Sequence, residues 1–255
     1  MLAVGGWLLV VGVCDLLRAA RDMTTWRRRF LIAALGLVLT VALGLLLDLD
    51  GSDWLGLGGL MMVSVVGWVL GSSVALAQGP RASAAVLTVA FGSFALGVAT
   101  TMVGGGVAGV YAPEMPSSLG GSIIAPLRVD ELVLLAGVAA VQLATVNVLV
   151  RLLLDAVGIP ATTNEKQLKG GRLLGPMERL FIIGLGLAGQ LTAAAVVVAA
   201  KGLLRFPELQ RTVAVEGLNR PAPSQDGPSD VTEYFLIGSF ASWLFALGGL
   251  ALLLM

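Results

Sequence analysis

The chain has 255 residues, 57% of them apolar and only 13% charged, with 16 basic and 16 acidic side chains in formal balance. A soluble domain carries about 25% charged residues, so the apolar excess is matched to lipid, and a net charge of zero removes nucleic acid as an implied partner. With no histidine and one cysteine, histidine–zinc proteases, Ser-His-Asp hydrolases, bis-histidine haem helices and any intramolecular disulfide are excluded for this chain alone.

A transmembrane helix needs roughly 20 predominantly apolar residues to cross about 30 Å of hydrocarbon, so long gaps between charges mark the spans. The first apolar run, 2–18, has Asp15 as its only charge before Arg18. No basic residue precedes it, which favours a retained helix over a cleaved signal peptide. The gap from Arg29 to Asp48 predicts a helix over 30–47, that from Asp53 to Arg81 a helix over 54–77, and that from Arg81 to Glu114 a helix over 84–103. Three more follow, at 131–151, 178–204 and 234–254. Trp26, Trp54 and Tyr234 stand at helix starts, where amphipathic rings favour the headgroup layer. The expectation is an all-α integral membrane bundle of about seven helices. It divides into an N-terminal group of four, 1–130, and a C-terminal group of three, 131–255. The Gly- and Pro-rich segment from Gly104 to Asp130 either covers the bundle or dips into it, and Pro207–Thr232 reads as a solvated linker. No internal repeat is visible.

Charge placement orients the bundle. Arg18, Arg21, Arg27, Arg28 and Arg29 crowd the first connection, whereas the second holds Asp48, Asp50 and Asp53. The positive-inside rule puts the first connection in the cytoplasm. Strict alternation of seven spans then gives an outer N-terminus, a cytoplasmic C-terminus, and Lys201, Arg205, Arg211 and Arg220 on the outer side. Localisation in a bacterial plasma membrane is expected.

Gly184-Leu185-Gly186-Leu187-Ala188-Gly189 matches G-x-G-x-x-G, but no strand precedes it and no acid follows about 20 positions on, as a dinucleotide site requires. Within an apolar helix these glycines read as packing positions, as do Gly67 and Gly71 at G-x-x-x-G spacing. The acidic turn Asp48, Asp50, Asp53 lacks the ligand order of a calcium loop, and Arg27–Arg29 reads as an inner-leaflet anchor. No catalytic, cofactor or metal-binding residue is assigned.

Ionisable groups in hydrocarbon are costly and face the bundle interior. Asp15 and Arg18 are spaced i,i+3 and can pair; Asn147, Arg151 and Asp155 form one stripe at i,i+4 steps. Gln142, Thr145 and Gln190 fall near the expected midplane, where amides either bond across helices or line a polar path.

Gly171-Arg172-Leu173-Leu174-Gly175 leading into Glu178-Arg179, then Gly189-Gln190, Ala199-Ala200-Lys201 with Arg205-Phe206, and Glu233-Tyr234 running to Gly238 form a set that resembles the C-terminal membrane module of a bacterial domain-of-unknown-function family. The resemblance covers the last third of the chain and implies a membrane-embedded unit with these recurring polar residues, but no activity. The chain departs from that pattern at Gly202, where a serine is usual, and in lacking the family's N-terminal histidines.

The candidate functional residues are therefore Gln142, Asn147, Arg151, Glu178, Arg179, Gln190, Lys201, Arg205 and Glu233. A continuous helix from Glu178 to Lys201 would run about 35 Å and separate its two charged ends across the membrane, with Glu233 expected beside Lys201 or Arg205 on the outer side. Such a distribution suits a transporter- or channel-like protein. A non-catalytic subunit that binds a partner protein or a second copy is the alternative. A lipid-modifying enzyme using Lys201, Arg205 and Glu233 is the third reading. Membrane lipids are the one partner common to all three.

Overall fold

In the computed structural model, residues 1–19, 25–47, 54–104, 128–158, 171–200 and 230–255 are described. They form helices and no strand. The helices are α1 (Leu2–Ala19), α2 (Trp26–Leu46), α3 (Gly59–Gln78), α4 (Ala84–Gly104), α5 (Val129–Ala140), α6 (Val146–Val157), α7 (Gly171–Leu187), α8 (Leu191–Ala200) and α9 (Asp230–Leu253). A π turn, Trp54–Gly58, leads into α3, and a second, Val141–Thr145, joins α5 to α6 as one continuous rod. Glu131 opens α5 by accepting the Arg128 backbone N–H at 3.0 Å, an acid satisfying a donor at the positive end of a helix.

Among the described residues five segments are long and apolar enough to cross a membrane: Trp26–Leu46, Leu55–Arg81, Ala84–Gly104, Val129–Val157 and Leu236–Leu253. The seven helices expected from the charge gaps also include the segments at 2–18 and 178–204, at the two ends of the chain.

At the N-terminal end, α1 is the best-buried helix. Leu2, Ala3, Val4, Trp7, Leu8, Val10, Val11 and Cys14 are all enclosed, as expected of a helix apolar on every side. Its neighbours come in at backbone distance because glycines face them. A Cβ on Gly5 would lie 2.5 Å from Leu134 Cα, one on Gly137 would lie 2.2 Å from the Gly5 carbonyl oxygen, and one on Gly12 would lie 2.6 Å from Ala140 Cβ. The Trp7 indole fills the space left by Gly97 and stacks at 5.4 Å on Phe94, which also meets Trp68 at 5.1 Å. Gly67 and Gly71 pack on Ser93 and Ala90, so the G-x-x-x-G pair seats α3 on α4 as its spacing predicted.

At the C-terminal end, the helix expected over 178–204 is broken. Gly189 adopts φ +73°, the left-handed conformation that a side chain disfavours. Around it Gln190 N–H bonds the Leu185 carbonyl at 2.8 Å and Gly189 N–H bonds Gly186 at 3.0 Å, the paired closing bonds of a Schellman cap. Of the three glycines read as packing positions, only Gly186 packs, against Leu250; nothing lies within 4 Å of a Cβ on Gly184 or Gly189. The ten-residue α8 that follows is about 15 Å long, half a membrane.

Helix directions follow from which residues meet. Gly5 meets Leu134 while Gly12 meets Ala140, so α1 runs parallel to α5 and α6. Trp7 bonds Ser64, Asp15 bonds Trp68 and Arg18 bonds Ser72, so α1 is parallel to α3 as well. Against these, α2 is antiparallel, with Leu43 against Gly6 and Ile32 against Cys14. In α9, Gly238 faces Leu154 and Val150 while Gly249 faces Val138, so α9 opposes α5 and α6. Arg179 bonds Ser242 and Gly186 touches Leu250, so α7 and α9 run the same way. Two adjacent helices expected to alternate are parallel, and Met1 and Met255 consequently lie at one face of the bundle. Seven alternating spans would instead put the termini at opposite faces. The first turn of α9, which carries Glu233, lies at the face where α6 ends and α7 begins.

Candidate functional site

The π turn at 141–145 sits midway along the α5–α6 rod, with Gln142 about 20 Å from either end at 1.5 Å per residue. A π turn shifts one hydrogen bond of the helix by one residue. Here Val146 N–H reaches the Val141 carbonyl, five positions back, and the Gln142 carbonyl that an α-helix would have engaged is left available. Arg179 of α7 takes it. Its Nε donates to Gln142 O at 3.0 Å and its Nη2 donates to the same oxygen. Nη2 also donates to Asn147 Oδ1 at 2.7 Å, and Nη1 donates to Ser242 Oγ of α9 at 2.9 Å.

Arg179 is 2% exposed, yet every one of these acceptors is neutral. Neither the Arg18–Asp15 nor the Arg128–Asp130 ion pair includes it. Glu178, next to it in sequence, is partly exposed and acts on it electrostatically. A buried guanidinium is costly to desolvate, and four charge-assisted bonds offset part of that cost. Gln142 contributes its side chain too: Nε2 donates to the Phe245 carbonyl at 2.8 Å, and Gly249 makes room for it, since a Cβ there would lie 2.6 Å from Nε2. Gln142 Oε1 and Thr145 Oγ1 are buried with no hydrogen-bond partner among the described residues. Three helices and a π turn thus meet around one positive charge.

A second buried charge cluster differs in being balanced. Asp15 pairs with Arg18; Trp68 Nε1 donates to the other Asp15 oxygen at 2.9 Å; Arg18 Nη1 donates to Ser72 Oγ and Ser73 Oγ, each at 2.8 Å. The two serines pass their own protons to the Trp68 and Val69 carbonyls. Charge is neutralised and donors are satisfied, which is the arrangement of a structural clasp between α1 and α3. The i,i+3 spacing of Asp15 and Arg18 predicted the pair, though not its extension onto α3.

Of the nine candidate residues, the structure brings together Gln142, Asn147 and Arg179. Arg151 and Glu178 are partly exposed, on α6 and α7. Gln190 is exposed, just beyond the cap of α7. Lys201 and Arg205 lie outside the described residues, and Glu233 is placed by its backbone alone, so their pairing lies outside them as well. Sequence reasoning missed Ser242 and the Gln142 carbonyl. A serine in an apolar helix is unremarkable by itself, and the π turn that frees the carbonyl has no sequence signature here.

Compared with protein-family models, curated proteins and solved structures, the chain matches none. The described residues form an all-helical bundle with five helices long and apolar enough to cross a membrane, and with the Arg179 guanidinium buried where three of its helices meet.

Proposed function

We propose that the chain is a multi-pass protein of a bacterial plasma membrane that passes a small solute across the bilayer, with α5–α6, α7 and α9 as the translocating core. The observation that carries this reading is the Arg179 guanidinium, buried midway along the α5–α6 rod where three helices meet, its hydrogen bonds among the described residues all made to neutral oxygens. Asp15 and Arg18 are joined in a direct ion pair, whereas ionisable groups that face a bundle interior on neutral partners are candidates for solute or ion paths. The π turn beneath it is consistent, since such turns concentrate at functional positions. The cap at Gly189 ends α7 shortly past this level, and broken helices are a recurrent way of building sites within transporters. The Arg-rich first connection places the ends of α1 and α6 on the cytoplasmic side, with both termini outside.

The test is flux. Purified protein in liposomes should carry at least one small ion or solute faster than protein-free liposomes, and Arg179→Gln should abolish it. A broad screen of ions and small solutes that finds no protein-dependent flux removes the reading.

A further inference from the structure

We infer that Arg179 recognises a small, water-soluble monoanion, a carboxylate or an inorganic ion of single charge, at the Nη1 edge of its guanidinium. The inference rests on the translocation reading for its setting and goes beyond it in naming the ligand class. A guanidinium offers five N–H donors. One on Nε, one on Nη1 and two on Nη2 are engaged by Gln142, Ser242 and Asn147, which leaves the second Nη1 donor. That edge is the open one. Gln142, behind the guanidinium, is 2% exposed, whereas Ser242, Asn147 and Gly175, around Nη1, are all partly exposed. Gly175 leaves the space in front of it clear, because a Cβ there would already stand 3.4 Å from Nη1.

The charge of the ligand follows from the surroundings. The hydrogen-bond acceptors of Arg179 are neutral and Glu178 is the acid whose charge reaches it, so a ligand of single charge adds the least repulsion, while a dianion would add more and lose more hydration. The source follows from depth: Gln142 lies about 20 Å along the helix from either end of its rod, out of reach of lipid headgroups, so the ion arrives from water. The existing hydrogen bonds position the guanidinium as a fixed planar donor, which lowers the ordering cost of capturing an anion.

Thermal unfolding of the full chain in a neutral detergent, followed by tryptophan fluorescence, tests this with sodium chloride, nitrate, acetate and sulfate at matched ionic strength. A saturable rise in Tm is expected with at least one monoanion and not with sulfate. Gly175→Ala fills the open edge while leaving the guanidinium's bonds in place, and should weaken the apparent affinity at least about tenfold; Arg179→Gln should remove the response. No saturable monoanion effect in the wild type overturns the inference, and so does an effect that Gly175→Ala and Arg179→Gln both retain. The two proposals fail separately. Liposome flux that no monoanion alters and that persists in Gly175→Ala sinks the anion site and leaves translocation standing. A saturable monoanion shift without flux does the reverse.

Discussion

Two nitrogens of Arg179, Nε and Nη2, converge on the single backbone oxygen of Gln142, 37 positions earlier in the chain. That convergence depends on the fork of a guanidinium, which an ammonium cannot reproduce. Arg179→Lys keeps the buried charge and loses the fork, so it should destabilise the protein by about 3–5 kcal/mol. Arg179→Met removes the charge and strands the Gln142 carbonyl, at a cost of about 1–3 kcal/mol. Reversible unfolding in mixed micelles gives the order, and a methionine variant less stable than the lysine variant contradicts the assignment of a desolvated charge.

The Asp15–Arg18 clasp makes the complementary case. Asp15→Asn leaves Arg18 buried without its counter-ion and should cost about 3–5 kcal/mol. Trp68→Phe removes one hydrogen bond to the same carboxylate and keeps the ion pair, and should cost about 1–2 kcal/mol. If the two variants unfold alike, Asp15 is not neutralising Arg18 in the folded protein.

How much of this was legible in the sequence depended on whether the signal was local. Charge gaps located most helix ends to within a few residues, because hydrocarbon thickness is a fixed ruler, but placed the start of α7 at 178 where it is Gly171 and the end of α6 at 151 where it is Val157. The Asp15–Arg18 spacing and the Gly67–Gly71 spacing were legible because one helical turn defines them. What escaped was set by backbone conformation or by tertiary arrangement. Gly184, Gly186 and Gly189 are chemically identical, yet only Gly189 takes a positive φ, and it ends the helix. α7 and α9 run the same way. Sequence alternation cannot supply it, since a 27-residue apolar stretch containing a cap counts as one span by length. The Gln142 amide was a candidate from the start, but its backbone carbonyl became an acceptor only through the π turn.

Glycines should divide by what they face. Gly137→Ala drives a methyl into the Gly5 carbonyl, 2.2 Å away. Because that obstacle is backbone, α1 and α5 must separate, and a loss of about 1–3 kcal/mol is expected. Gly184→Ala meets nothing within 4 Å and gains helix propensity, so it should be neutral or stabilising by up to about 1 kcal/mol. Equal effects of the two substitutions on Tm would contradict the backbone contact between α1 and α5.

The last prediction concerns sidedness. Because α1 and the α5–α6 rod are parallel, the chain leaves the end of α1 at Ala19 and the end of α6 at Val157 on one face. The connections that leave these two ends, 19–29 and 155–177, are therefore expected on one side, and their arginines and lysines predict that it is the cytoplasm. The antiparallel packing of α9 on α6, with Gly238 at Leu154 and Gly249 at Val138, brings Met255 to the side of Met1. Both termini should then be reached from outside an intact cell, in contrast to the opposite placement that seven alternating spans would give. With Cys14 replaced, single cysteines at Asp22 and Glu165 should resist an impermeant thiol reagent until the membrane is opened, while epitope tags at the two ends should be labelled directly. Labelling of one loop but not the other refutes the parallel course of α1 and α6. Tags found on opposite sides refute the direction of α9, and with it the meeting of Ser242 and Gln142 around Arg179.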